Sequence, residues 1–346
     1  MSPRCCNSTA AWWWKRFELR SPVLDDKDHA HHLDGWFGFV TGTKPRHVTL
    51  DFSPLSKHRN VASPIKYSNQ LVGNVGSSSS SSCWSTAGRI VSLLLGYVCL
   101  ELPPVSDGFK TLKKLELKFV FDLGGLTPFI ANCPALEWLS ISKSSIPHLV
   151  IPHQAACLRH LRLERAGMQS IHLNPTSLTT FDYFGSASVR IKTNSALKLS
   201  QANVLFYWRL DIVDYFWDQL SCWLAPVHRL VLAFSMDTKM DSFDIRPLYL
   251  KTPDCIHRRA HHHLKTVQMT GVLGLSGQLE LAKYILLSAE ALESRTLNLA
   301  RNRILQLLKS DYTYFTELEK FAKKYLDPQG VYHCVLKIVG LNSTCQ

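Results

Sequence analysis

The sequence lacks any pattern of paired cysteines. Its 346 residues include ten cysteines, but no two of them form a C-x-x-C pair and their spacing shows no framework. In a chain of this length, scattered cysteines are typical of reduced thiols. The sequence therefore predicts a cytoplasmic or nuclear location.

Long apolar runs are also missing. The most apolar stretch, Ile90–Leu100, is far shorter than the roughly 20 residues that a membrane-spanning helix needs. The first residues, MSPRCCNSTAAWWWKRFELR, contain no continuous apolar core of the kind found in a secretory signal peptide. No membrane partner is expected.

Positive charge is abundant but dispersed. The formal net charge is +12, yet no basic run exceeds two residues. The densest groups are Lys110, Lys113 and Lys114, then Arg258 and Arg259. Because nucleic-acid binding usually needs clustered basic residues, this pattern argues against a nucleic-acid partner and favours solvated faces.

No catalytic or cofactor-binding motif is present. The stretch GLSG at Gly274–Gly277 is not the G-x-S-x-G turn of a serine nucleophile. A P-loop and a dinucleotide-binding fingerprint are both lacking. The sequence therefore predicts a protein that is not an enzyme, with no catalytic residue and no cofactor.

The pattern that is present is a repeat of the form L-x-x-L-x-L. Clear copies lie at Leu112–Leu117, Leu136–Ile141, Leu158–Leu163 and Leu178–Tyr183, and looser copies begin at Val227 and Leu264. Successive clear copies start 24, 22 and 20 residues apart, within the range of about 20–29 for leucine-rich repeats. Since one unit cannot bury its apolar side alone, stacked strands must share a core. The predicted fold is an α/β leucine-rich-repeat solenoid, with parallel strands on the concave face and helices or irregular returns on the convex face.

These patterns divide the chain into six segments. They are an irregular N-terminus (1–16), a first strand–helix–strand unit of the repeat region (17–72), a Ser-rich loop (73–84), leucine-rich repeats (85–255), a second strand–helix–strand unit (256–300), and capping helices with a strand (301–346). The loop is assigned because six consecutive serines cannot bury apolar surface. Whether residues 84–110 form a repeat stays open.

A triple histidine, 261–263, precedes the last strand copy. An amphipathic helix pattern over 278–292 and a further strand, SRTLNL, follow it. Cys255 and His257 lie nearby, but their spacing matches no tetrahedral zinc pattern. We therefore expect loop histidines and no metal.

The outward side chains of the clear repeats form the candidate binding surface. In L-x-x-L-x-L the leucines point inward, so the residues before, between and after the last two face outward. The predicted partner-binding set on the concave face is Lys114, Glu116, Lys118, Trp138, Ser140, His160, Arg162, Glu164, Asp182 and Phe184. Trp138, Arg162 and Phe184 are of types enriched at interfaces. An ordinary solvated sheet face is the alternative.

Three stretches resemble one known family. The strand, glycine turn, helix and strand of residues 263–297 resemble the FBD domain of plant F-box/leucine-rich-repeat proteins. FIANCPALEWLSIS (129–142) is similar to the repeat phrase of that family, and HLDGWFGFVTGTKPRHVTLDFS (32–53) is similar to the segment that opens its repeats. The resemblance covers most of residues 17–300. It departs at Arg295, where an apolar residue is expected in the last strand.

The resemblance implies a non-enzymatic protein-recognition module, like the substrate-recognition half of an SCF-type ubiquitin-ligase subunit. Residues 1–16 are too few to hold the family's helical F-box, which binds the ligase's adaptor subunit. It therefore implies recognition of an unknown protein target without docking to the SCF adaptor subunit. A truncated member or scaffold without a ligase role, and a nucleic-acid-binding solenoid, are the alternatives.

Overall fold

The computed structural model shows two compact units, Met1–Arg162 (unit 1) and Leu163–Gln346 (unit 2). It describes residues 16–20, 45–53, 65–67, 89–100, 109–120, 126–186, 188–194, 197–208, 225–236, 260–272, 278–299, 312–331 and 336–339. The Ser-rich loop, residues 1–15 of the N-terminus, Cys255 and His257 lie outside the described residues. The boundaries of the six segments stay predictions.

Among its described residues, unit 1 contains short strands and one short helix. They are β1 (Arg16–Arg20), β2 (His47–Asp51), β3 (Ile65–Tyr67), β4 (Ser92–Gly96), β5 (Val98–Leu100), β6 (Lys114–Lys118), α1 (Leu126–Ala131), β7 (Trp138–Ser142) and β8 (His148–Ile151). Strand β9 (His160–Glu164) begins in unit 1 and ends in unit 2.

In the part that the structure describes, unit 2 contains longer strands and helices beside three four-residue strands. They are β10 (Ser170–Leu173), β11 (Thr180–Ser186), β12 (Arg190–Thr193), β13 (Gln201–Trp208), β14 (Arg229–Met236), β15 (Thr266–Val272), α2 (Gln278–Ser288), β16 (Ser294–Leu299), α3 (Tyr312–Leu326) and β17 (Leu336–Val339).

Unit 1 contains a parallel sheet in the order β1-β2-β4-β6-β7. Its register aligns Leu115 with Leu139 and Leu117 with Ile141, and all four side chains are at most 1% exposed. Burying such a side chain contributes about 1.5–3 kcal/mol. The same register aligns the outward side chains in rows, because side chains alternate between the two faces of a strand. The predicted fold class, parallel leucine-rich repeats, is confirmed.

Strand β4 shows that the stretch 84–110 contains a leucine-rich repeat. Ile90, Leu93 and Leu95 are buried and repeat the L-x-x-L-x-L spacing. The strand pairs in parallel with both β2 and β6. A further repeat therefore lies at 90–95. A second, two-stranded sheet joins β3 to β5 in parallel.

The residue after the strand adopts a left-handed backbone at four successive repeats. The φ angles of Tyr97, Phe119, Lys143 and Arg165 lie between 49° and 59°, although none of these residues is glycine. The N–H groups of Tyr97 and Phe119 donate to the carbonyl of the last residue of the next strand, at 2.8 and 2.9 Å. These bonds hold a conformation that usually costs about 1–2 kcal/mol per residue.

Unit 2 contains a parallel sheet in the order β11-β13-β14-β15-β16-β17. Strand β13 was not predicted as a repeat; Ala202, Val204 and Phe206 fill its inward positions. In the return segments, β10 and β12 form a separate parallel pair. The returns therefore include short strands as well as the helices and irregular segments that were expected. In unit 1, α1 contacts the return strand β8.

The strand–helix–strand segment (residues 260–299) comprises β15, α2 and β16. Helix α2 buries nine of its eleven residues and is thus less one-sided than the amphipathic pattern predicted. Helix α3 contacts α2, and Lys283 of α2 places its Nζ 4.4 Å from the ring centre of Tyr325 on α3. Leu287, 41% exposed, lies on the open side of α2.

Candidate functional site

The first outward row of the predicted surface is a stack of three side chains in unit 1. Trp138 and His160 stack face to face, with ring centres 3.6 Å apart and planes within 5°. Lys114 lies over the indole of Trp138, with its Nζ 5.5 Å from the ring centre. Register brings these residues together, since Lys114 on β6 pairs with Trp138 on β7.

The stack limits what Trp138 can offer a partner. Lys114 covers one face of its ring and His160 the other, and the residue is half-buried. Its Nε1–H is shielded from solvent and has no hydrogen-bond partner in the described part of the chain. His160 therefore closes one face of the indole by stacking, and Lys114 lies over the ring as well.

Ion pairs organise the remaining outward residues of β6. Lys114 pairs with Glu116 along the strand at 2.6 Å. Lys118 reaches Asp51 on β2 at 3.9 Å, across the intervening strand β4. Gly96 on β4 makes this possible, because a Cβ there would lie 2.3 Å from Asp51 Oδ1. Asp51 was missed by sequence reasoning, since only the strand order places it near Lys118.

Ser140 and Arg162 complete the predicted surface within unit 1. Ser140 pairs in register with Glu116, and both it and Arg162 are half-buried on the outward side of their strands. The structure thus assembles the predicted residues of β6, β7 and the start of β9 on one face of unit 1.

The predicted residues of unit 2 behave differently. Glu164 and Phe184 are half-buried on outward positions, as expected. Asp182 is only 8% exposed, so it is not an open contact residue. Its Oδ1 accepts a hydrogen bond of 2.6 Å from Asn203 Nδ2 on β13, which lies 21 residues away in sequence.

An apolar row beside Phe184 was missed. The register aligns Phe184 with Leu205 and Leu205 with Ala233, and all three are half-buried on the outward face. The alternation of β13 could have revealed Leu205 had that strand been recognised. This row of unit 2 is apolar, whereas the row of Asp51, Lys118 and Ser142 in unit 1 is charged and polar.

A charged row lies one residue before the strands of unit 1. Lys113 Nζ pairs with Glu137 Oε1 at 2.8 Å. The hydrogen bond and charge of Lys113, together with the charge of Arg159, lower the pKa of the Glu137 carboxyl. Backbone hydrogen bonds reinforce this row, because the Lys113 carbonyl accepts from the N–H groups of Glu137 and Trp138, and the Glu137 carbonyl accepts from those of Arg159 and His160.

The triple histidine separates into one buried and two exposed side chains. His261 is 1% exposed, and its Nε2 lies 3.3 Å from the hydroxyl of Tyr284 on α2. Burial, and then the charge of His262, lowers the pKa of His261. His262 pairs instead with Glu290 at 2.8 Å. His261 is thus a packing residue, and the structure gathers no group of three metal-ligating side chains among its described residues.

No helix in the described ranges combines the length and apolar character needed to cross a membrane.

Two family matches account for most of the chain. Residues 14–252 match the family described as At1g61320/AtMIF1, LRR domain, and residues 252–297 match the FBD family. No curated protein matches the chain. The first match covers well over half of the sequence, and the second contains β15, α2 and most of β16. The predicted resemblance is confirmed, and the chain belongs to the At1g61320/AtMIF1-type leucine-rich-repeat family, with an FBD domain after its repeats.

Proposed function

We propose that this chain recognises a protein target as the substrate-recognition part of an SCF-type ubiquitin-ligase subunit. The repeats and the FBD domain in one chain support this proposal, since the resembling plant F-box/leucine-rich-repeat proteins combine them in this order. We further propose that it acts in the cytoplasm or nucleus and has no catalytic activity of its own.

The observation that carries the recognition role is the outward face of the unit 1 strands. Half-buried Trp138 and His160 stack on β7 and β9, and half-buried Arg162 faces the same side two residues further along β9. Side chains that are already held by neighbours lose little freedom on binding, which favours affinity. Exposed strand faces of repeat proteins are common binding surfaces.

A second candidate is a scaffold that binds targets without a ligase role. The matched leucine-rich-repeat and FBD domains fit a protein-interaction module, which supports this candidate as well as the first. The two candidates differ in a single contact, that with the ligase's adaptor subunit.

Pull-down of the full chain with the purified SCF adaptor subunit separates the two. A complete F-box/leucine-rich-repeat subunit serves as the positive control, and circular dichroism confirms that the chain is folded. Binding supports the ligase subunit and calls for mapping of the contact. Absence of binding by the folded chain contradicts the ligase role and leaves the scaffold.

A further inference from the structure

The ion pair of Asp51 and Lys118 crosses β4 on the outward face of unit 1. Asp51 on β2, Gly96 on β4 and Lys118 on β6 share one row of the register. Because neighbouring strands lie about 4.8 Å apart, the row from Asp51 to Lys118 spans roughly 10 Å of the sheet. The two side chains meet above Gly96, where no side chain separates them.

Both members of this pair keep the capacity for further hydrogen bonds. Ser53 N–H donates to Asp51 Oδ1 at 3.1 Å, which fixes the carboxylate. Asp51 Oδ2 lies 3.9 Å from Lys118 Nζ, beyond the roughly 2.7–3.2 Å of an N–H···O hydrogen bond. The side chains of Lys118 and Asp51 are 38% and 16% exposed. A partner group can therefore accept from the ammonium and donate to Oδ2 at the same time.

The paired charges favour a neutral, dipolar group over an ion. A carboxylate placed between them would be repelled by Asp51, and an ammonium would be repelled by Lys118. The oxygen and nitrogen of a primary amide lie about 2.2 Å apart. Two hydrogen bonds of about 2.9 Å from these atoms reach both members of a pair that is 3.9 Å wide. A backbone amide does not fit, because a trans peptide directs its C=O and N–H in opposite directions.

Leu94 provides an apolar surface beside the pair. It is the outward residue two positions before Gly96 on β4 and is half-buried, so it lies about 7 Å from Gly96 along the strand. Its register neighbours are Thr49 and Glu116, and Glu116 is already paired with Lys114 at 2.6 Å. An amide on two methylene groups contacts Leu94 while its head reaches the pair. This favours glutamine over the shorter asparagine.

We propose that Asp51, Leu94 and Lys118 form a docking site for a glutamine side chain of the protein partner. The amide oxygen accepts from Lys118 Nζ, the amide nitrogen donates to Asp51 Oδ2, and the methylene groups lie on Leu94. This inference rests on the proposed role in protein recognition and adds the chemistry of one contact residue.

The test titrates N-acetyl-glutamine methylamide into the full chain with isotope-labelled leucine methyl groups, observed by NMR. Leu94→Ile identifies the Leu94 signals. We expect these signals to shift with a dissociation constant on the order of 1 mM, as is usual for so small a ligand. The glutamate and lysine derivatives are expected to bind at least about fivefold more weakly. Glutamine methylated on its side-chain nitrogen should lose binding to the same extent, because its remaining N–H points away from the oxygen.

Two substitutions should change the preference in opposite directions. Asp51→Asn keeps an acceptor for Ser53 N–H but leaves the charge of Lys118, so the glutamate derivative should bind at least as tightly as glutamine. Lys118→Met leaves the charge of Asp51, so the lysine derivative should do so instead. Misfolding could not produce such reversals. The matched controls Lys113→Met and Glu137→Gln change the other ion pair, at 2.8 Å, and should keep the preference for glutamine.

Three results would overturn the proposal. One is equal affinity for the glutamine, glutamate and lysine derivatives. Another is a preference for glutamine that survives both Asp51→Asn and Lys118→Met. The third is binding that shifts other leucine signals and leaves those of Leu94 unchanged. Since the adaptor pull-down does not involve these derivatives, its result tests the proposed function separately.

Discussion

The cores of the leucine-rich repeats and of the strand–helix–strand segment contain different kinds of side chain. Around β6 and β7 the inward positions hold only leucine and isoleucine, each at most 1% exposed. In contrast, five of the seven buried polar or charged side chains among the described residues lie in the segment: His261, Gln278, Glu280, Ser288 and Arg295. The difference suggests that the repeats gain stability from interchangeable apolar contacts, while the segment depends on particular polar partners.

Arg295 shows the contrast most clearly. Register pairs it with Val267, so a guanidinium occupies a position that an apolar side chain holds on the neighbouring strand. Its Nη2 donates to the Ala282 carbonyl and lies 4.0 Å from the sulfur of Met269. Its Nε and Nη1 have no hydrogen-bond partner within the described ranges. Burial lowers the pKa of Arg295 to about 9, because a charge removed from water without compensation is costly.

The largest expected change in stability comes from a substitution in the apolar core of the repeats. Leu139→Ala on β7 removes a fully buried side chain, at 0% exposure, and leaves a cavity. We expect a loss of about 3 kcal/mol in the free energy of unfolding, measured by urea denaturation followed by circular dichroism. Ser140→Ala, on the outward side of the same strand, is the control and should change stability by less than about 0.5 kcal/mol. A loss below about 1 kcal/mol for Leu139→Ala would contradict the shared apolar core.

Arg295→Met is expected to raise the free energy of unfolding. Replacing an uncompensated buried charge by an apolar side chain of similar size often stabilises a protein by about 1–4 kcal/mol. Arg162→Met, on an outward position, serves as the control. Because the folded pKa of Arg295 is depressed to about 9, the folded chain releases this proton before the unfolded chain does. The difference in the free energy of unfolding between the variant and the parent should therefore shrink as the pH rises above about 9. A difference that stays constant up to pH 11 would argue against a buried charged Arg295.

His261 makes the segment sensitive to acid. Its pKa is lowered by burial and by the charge of His262, so the unfolded chain takes up the proton more readily. Stability is then complete above the ordinary histidine pKa of about 6.5 and falls as the pH drops below it. His261→Phe, which keeps an aromatic ring against Tyr284, should flatten this part of the stability profile, while His263→Phe should not. Identical profiles for the parent and His261→Phe would show that His261 does not titrate in this way.

The smallest expected effect concerns the left-handed residue after β7. Lys143 has a φ of 53° and is exposed, so glycine relieves backbone strain there without opening a cavity. Both Lys143→Gly and Lys143→Ala remove the contact of its Nζ with the ring of Phe119, 4.7 Å away. Their difference therefore isolates the backbone, and the glycine variant should be more stable by about 1 kcal/mol. An alanine variant as stable as the glycine variant would mean that the left-handed turn relaxes.

The sequence predicted the parts of this molecule that depend on local periodicity. The four clear repeats follow from leucines spaced to share one face, and the departure at Arg295 was visible from its position in the last strand. The outward set of unit 1 followed from the same alternation. Strand β13 was not recognised because Ala202 and Val204 fill the inward positions that Leu230 and Leu232 hold on the neighbouring strand β14.

Features set by stacking could not be read from the sequence. The burial of Asp182 depends on Asn203 of the next strand in the sheet. The ion pair of Lys113 with Glu137 depends on parallel strands that bring together residues 24 positions apart. Left-handed backbones at Tyr97 and Phe119 carry no glycine signal, because hydrogen bonds to the next repeat hold them.

Hydrogen exchange of the full chain tests the contrast between the two cores most directly. Amides of β15, α2 and β16 should exchange faster than those of β6 and β7, because local opening releases the buried charge of Arg295. In Arg295→Met the exchange of the segment should slow by at least about tenfold, while β6 and β7 stay unchanged. Equally slow exchange in both regions of the parent, with no response to Arg295→Met, would contradict the account.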